Sequence, residues 1–168
     1  MEIYRVDGPW PGRLALCARP RSGPWLNGDV RALRAAGVNT IVSLLTPEEV
    51  AKLGLEPVGM ACASEGIEHL SFPVGNLMTP AFDATLPALQ TWGAQLASGR
   101  GLAMHCWATV GRSPTLAAGL LVVGGVAPGP AWERIEAARG CPVPDTREQR
   151  EWVFELERRL RRRPPAVQ

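Results

Sequence analysis

One cysteine in this 168-residue chain stands apart from the other three by its neighbours. Cys106 is separated from Arg112 by five residues in the run His105-Cys106-Trp107-Ala108-Thr109-Val110-Gly111-Arg112-Ser113. An apolar strand pattern precedes the run and a helical pattern follows it. A loop that leaves the carboxyl end of a strand and feeds a helix N-terminus turns its main-chain N–H groups inward, and these bind an anion without help from basic side chains. Five intervening residues are enough to wrap the amides of Trp107, Ala108, Thr109, Val110 and Gly111 around a phosphate and to return Arg112 to face Cys106. The guanidinium then grips two phosphate oxygens as a planar fork. The same field favours thiolate, and such settings bring cysteine from about 8.5 into the ~3.5–7.5 range. A thiolate beneath a phosphate ester attacks phosphorus in line and gives a phosphocysteine that water hydrolyses. Ser113 places a hydroxyl near the departing sulfur. His105 precedes the nucleophile on its strand, which suits ordering the loop from behind better than transferring protons.

Such a loop needs a strand beneath it, and the surrounding pattern supplies one at 102–105, after the turn Ser98-Gly99-Arg100-Gly101. Residues 13–18 and the β-branched run 39–45 predict two more strands, and Ile-Glu-His-Leu-Ser-Phe at 67–72 alternates like a half-buried one. Between them, Val30, Leu33 and Ala36 recur at helical spacing after a candidate cap at Asn27, and Gly37 stops that helix. Thr46-Pro47-Glu48-Glu49 starts another, with proline and acids in its first turn. Further helices are expected at 57–64, 83–96, 112–123, 129–138 and 146–161, the last with Thr146 and Gln149 at capping-box spacing. Strands alternating with helices predict an α/β fold: a mostly parallel or mixed sheet of about four to five strands flanked by helices.

The length and the 46% hydrophobic content fit one domain, expected over residues 1–163, with a disordered tail at 164–168. A net charge of +2 with mixed signs argues against a nucleic-acid binder. The arginines from Arg158 to Arg163 read as a solvated helix end. Residues 116–127 are too short and glycine-interrupted to span a bilayer, so a buried core helix is expected there. The N-terminus lacks the basic start and apolar run of an export signal, which suggests a cytoplasmic protein with reduced thiols. Cys17, Cys62, Cys106 and Cys141 form no CxxC pair, so neither a zinc site nor a disulfide framework is indicated, and no cofactor or metal is expected.

His105, Cys106, Arg112 and Ser113 resemble the HCX5R(S/T) signature of the cysteine-dependent protein tyrosine and dual-specificity phosphatases. The resemblance extends over roughly residues 13–160. Phe72-Pro73-Val74 looks like the strand end that leads into the family's general-acid loop, with Pro80 closing it. Ala137-Ala138-Arg139-Gly140-Cys141-Pro142-Val143-Pro144, followed by Thr146 and Gln149, is similar to the closing helices of small bacterial and atypical dual-specificity members. The resemblance implies a phosphomonoester hydrolase acting on a phosphorylated protein or a small phosphorylated molecule, with a shallow pocket and no metal. Oligomeric state is not implied.

Two positions depart from the family pattern. Asn76 stands where the general-acid aspartate is usual, and an amide delivers no proton. Losing such an acid costs about 10²–10⁴ in rate, which implies weak turnover, or alternatively a pseudo-phosphatase that binds phosphorylated partners with little turnover. Asp83 is the nearest acid downstream, though its place suits a helix first turn better. Thr109 replaces a common glycine and would strain the loop if that position needs positive φ. Trp107 either walls the pocket or packs outward.

Overall fold

The computed structural model describes residues 1–162, so Arg163 and the tail expected at 164–168 lie outside the described residues. Short apolar runs build the centre of the fold. Strands β1 (Ile3–Val6), β2 (Leu14–Cys17), β3 (Thr40–Ser43), β4 (Glu68–Ser71) and β5 (Leu102–His105) form a five-stranded sheet in the order β1-β2-β5-β3-β4. Strands β2, β5, β3 and β4 run parallel, and β1 pairs antiparallel with β2, from Ile3 opposite Cys17 to Val6 opposite Leu14. The expected mixed α/β sheet is thus observed, with one strand the sequence reading did not propose. Tyr4 and Arg5 interrupt the apolar run of β1, and its inclusion depends on the neighbouring β2 edge.

Both faces of the inner strands are buried, as parallel strands require. Leu14, Leu16, Val42, Leu102 and Met104 point to one face and Ala15, Cys17, Ile41 and Ala103 to the other. The first face is covered by α4 (Phe82–Ala97), α5 (Arg112–Val123), α6 (Pro128–Arg139) and α7 (Arg147–Arg162). The second is covered by α1 (Leu26–Ala35) and α3 (Val58–Ser64), and the short α2 (Pro47–Leu53) follows β3. Helix α5 is buried from Arg112 to Val122, with α4, α6 and α7 packed around it. That burial explains its apolar composition on all sides.

Local chemistry sets the helix starts. Thr46 caps α2 through a full capping box with Glu49, and Thr146 with Gln149 makes the same reciprocal pair before α7, at 3.1 and 3.2 Å. The cap expected at Asn27 is not used. Pro24 sits in a 3-10 turn at Gly23–Trp25 that runs directly into α1, so the helix begins earlier and Asn27 lies inside it. On α7, Arg158 and Arg159 pair with Glu155, and Arg161 with Glu157. The basic run is therefore largely balanced by its own helix. No helix among the described residues is long and apolar enough to cross a membrane.

Candidate active site

β5 is the central strand of the sheet, and residues 106–111 connect its carboxyl end to the N-terminus of α5. Ligands of open α/β sheets bind at this end of the strands. The loop floors a cavity of about 530 Å³ whose lining includes Cys106, Trp107, Ala108, Gly111 and Arg112, with Asn76 and Leu77 from the loop after β4. Glu48, Glu49 and Lys52 of α2 and Asp145 before α7 complete it. Among the described residues, the amides of Trp107 to Gly111 donate to no main-chain carbonyl, which leaves them to an anion in the loop. Ser113 Oγ lies 3.3 Å from Cys106 Sγ, and both residues are buried.

Arg112 is held differently from the sequence expectation. Its Nη1 donates to Glu49 Oε2 at 2.7 Å and to the Val74 carbonyl at 2.8 Å, and its Nη2 donates to Glu49 Oε1 at 2.9 Å. One edge of the guanidinium is thus consumed by Glu49. The other, Nε–H with the second Nη2 hydrogen, donates to no carbonyl or carboxylate among the described residues and keeps the two-pronged geometry an oxyanion needs. Burial works against ionisation of Glu49, but hydrogen bonds from Arg112 and the Thr46 amide outweigh it and hold its carboxyl below the usual range. The sequence marks Glu49 only as a first-turn acid. A buried arginine requires a carboxylate partner, but which of the chain's acids serves depends on how α2 meets the loop.

Thr109 adopts φ +58°, so the position does require the left-handed region that glycine would suit. Its Oγ1 donates to the Cys17 carbonyl at 2.8 Å inside the protein, which offsets the backbone cost with a buried hydrogen bond. The side chains of Thr109 and Val110 do not line the main cavity. Trp107 both walls that cavity and packs into the core beneath α1 and α3, with Arg19 and Lys52 at 5.2 and 5.6 Å from its ring centre. Arg139 Nε braces the loop from outside by donating to the Thr109 carbonyl at 2.8 Å, a role unmarked in the sequence.

His105 is buried behind the loop, with Nδ1 3.3 Å from the Cys106 carbonyl. Burial pushes it down to about 4, against about 6.5 for an unfolded histidine. Between these values the unfolded chain holds more protons, so stability present above pH 6.5 should be lost as pH falls toward 4, by up to roughly 3 kcal/mol. Urea unfolding across this window checks it. His105→Gln should flatten the dependence, leaving the smaller share of His69, which burial also lowers.

Asn76 lines the cavity, as its place in the sequence suggests. Its loop is tied down by Gln149 Nε2 donating to the Met78 carbonyl at 3.2 Å and Trp152 Nε1 donating to the Pro80 carbonyl at 2.8 Å. Asp83 lies exposed in the first turn of α4 and is not part of the lining. Asp145, unmarked in the sequence, is.

A family model described as "Tc-R-P: Polymorphic toxin system, DSP-PTPase phosphatase" matches residues 17–126, which include both Asn76 and the Cys106 loop. The chain belongs to this family, within the cysteine-dependent protein tyrosine phosphatase superfamily, and is a phosphatase of the tyrosine and dual-specificity class. Solved structures share the fold. A kinase associated phosphatase (KAP) with serine in place of its catalytic-site cysteine superposes with a TM-score of 0.87 at 21% identity, over 98% of each chain. Tk-PTP in its active form gives 0.75 at 23% identity, over 94% of this chain and 97% of that one. PTPMT1 in complex with PI(5)P gives 0.75 at 21% identity, over 95% and 96%. No curated protein matches the chain by sequence.

Proposed function

We propose that Cys106 is the nucleophile of this phosphatase and that the main-chain amides of residues 107–111, with the free edge of Arg112, hold the phosphoryl oxygens. The observation that carries this reading is that Cys106 and Arg112 line the floor of one cavity, with the Ser113 hydroxyl 3.3 Å from Cys106 Sγ behind it. Sulfur attacks phosphorus, the ester oxygen departs with its electron pair, and water then releases inorganic phosphate and regenerates the thiolate. Ser113 donates to the sulfur as it leaves. The substrate is a phosphomonoester on a protein side chain or a small molecule. The exposed Leu77 and Met78, one lining the cavity and one beside it, give an open apolar rim that suits both. The occupied PTPMT1 structure supports small phosphorylated ligands in this fold. The cysteines are unpaired among the described residues, which fits a reducing compartment such as the cytoplasm.

The test joins turnover to labelling. p-Nitrophenyl phosphate should be hydrolysed without added metal, and iodoacetate near pH 6 should inactivate the protein by alkylating Cys106, with vanadate protecting. Burial pushes Cys17 up to about 12 and Cys62 to about 11, so neither competes. Labelling confined to the half-buried Cys141, or turnover that survives full alkylation of Cys106, would overturn the reading.

A further inference from the structure

The proposed chemistry needs a proton for the leaving oxygen, and the side chain at the general-acid position is an amide. Resting on that reading, we infer that Asp145, in the turn between α6 and α7, performs the two proton transfers that Asn76 cannot. Asp145 lines the same cavity as Cys106 and Arg112. Its carboxylate lies directly against Gly111, so close that a side chain there would collide with Oδ2. The glycine at the end of the phosphate loop is what gives the carboxylate its place.

Each other carboxylate in the lining is engaged. Glu49 is bound by Arg112 and the Thr46 amide, and Glu48 is held below the usual range by its own main-chain amide and by Thr46. Both carboxylates are already committed to these partners. Asp145 makes no hydrogen bond and no ion pair among the described residues. Its turn is nonetheless fixed. The reciprocal Thr146–Gln149 pair follows it, Arg150 donates to the Val143 carbonyl at 3.0 Å, and Gln149 ties the turn to Met78, two residues beyond Asn76. Asp145 and Asn76 are thus joined parts of one cavity wall. The titratable and charged groups that line the cavity with Asp145 are Cys106 and Arg112 from the loop and α5 and Glu48, Glu49 and Lys52 from α2, and Arg147 and Glu148 follow it on its own helix.

In-line displacement puts the leaving oxygen opposite the sulfur, toward the mouth of the cavity. As the S–P bond forms and the P–O ester bond breaks, the ester oxygen takes the proton of the Asp145 carboxylic acid and leaves as the alcohol. Water then enters the vacated position. Its oxygen bonds phosphorus, its proton passes to the Asp145 carboxylate, and the S–P bond breaks to give inorganic phosphate and thiolate. The acid form of Asp145 is restored, so the cycle balances.

Asp145→Asn, close in shape, tests this with phosphotyrosine and p-nitrophenyl phosphate compared over pH. The expected loss in kcat/KM is about 10²-fold or more for phosphotyrosine and clearly smaller for the nitrophenyl ester, whose leaving group needs no proton. The alkaline limb of the wild-type phosphotyrosine profile should disappear, and phosphocysteine should accumulate with the activated substrate. Vanadate inhibition and Cys106 alkylation should persist, showing an intact site. Asp145→Ala should behave alike. Equal losses on both substrates, or a retained alkaline limb, would overturn the inference. Wild-type turnover that Cys106→Ser abolishes and Asp145→Asn leaves untouched defeats the inference alone, whereas a wild-type protein inert toward both substrates defeats the phosphatase reading with it.

Discussion

Cys106→Ser should lower turnover of p-nitrophenyl phosphate by roughly 10⁴-fold or more, the scale seen when a covalent nucleophile is removed. Cys106 is 3% exposed and one heavy atom changes to a smaller one, so the fold should tolerate the change. A serine hydroxyl at this site remains un-ionised near neutrality and is a far weaker nucleophile toward phosphorus. The loop amides and Arg112 are untouched, and the variant should still bind phosphate or a phosphopeptide. Steady-state turnover beside phosphopeptide binding measures both halves of the expectation. Residual activity within ten-fold of wild type would mean that another group attacks phosphorus.

Arg112→Lys should reduce kcat/KM by about 10³-fold or more, although the formal charge is kept. Removing one preorganised donor to a developing oxyanion costs about 10²–10³, and lysine loses the paired Nε and Nη2 contact altogether. It also cannot keep the contacts that Arg112 makes with Glu49 and Val74 and still reach a phosphate. Glu49→Gln is the companion measurement. That variant keeps a hydrogen-bond acceptor but removes the charge opposing a guanidinium that is 3% exposed, and breaking one side of a buried ion pair costs about 3–5 kcal/mol. Stability should fall in urea titrations and vanadate should bind more weakly. If Glu49→Gln leaves vanadate affinity unchanged, the carboxylate only supports the fold and does not orient Arg112.

Much of this site was legible in the sequence because it is local. The five-residue spacing between Cys106 and Arg112, the strand before it and the helix after it lie within about twenty consecutive residues, and short-range steric rules translate such a run into a loop at a strand end. The same holds for the capping pair Thr146–Gln149, whose members are three residues apart. The short apolar runs of β2, β3 and β5 marked them as buried strands for the same reason. Where a local rule had two outcomes, the sequence misled. Asn27 is a good cap residue, yet Pro24 started the helix first.

The tertiary structure decided what distant segments do to one another. Glu49 lies sixty-three residues from Arg112 and closes on it at 2.7 Å only because α2 leaves β3, the strand beside β5. Thr109 holds a positive φ through a hydrogen bond to Cys17, ninety-two residues away. Asp145 reaches the cavity because α7 packs on α5 and brings its N-terminus against Gly111. The sequence by itself determined that this chain carries a phosphate-binding cysteine loop on an α/β sheet, since the residues that make such a loop are neighbours in the chain. Which carboxylate holds the arginine, and which stands free in the cavity against Gly111, was decided by packing, because charge and desolvation act through space and carry no trace in local spacing.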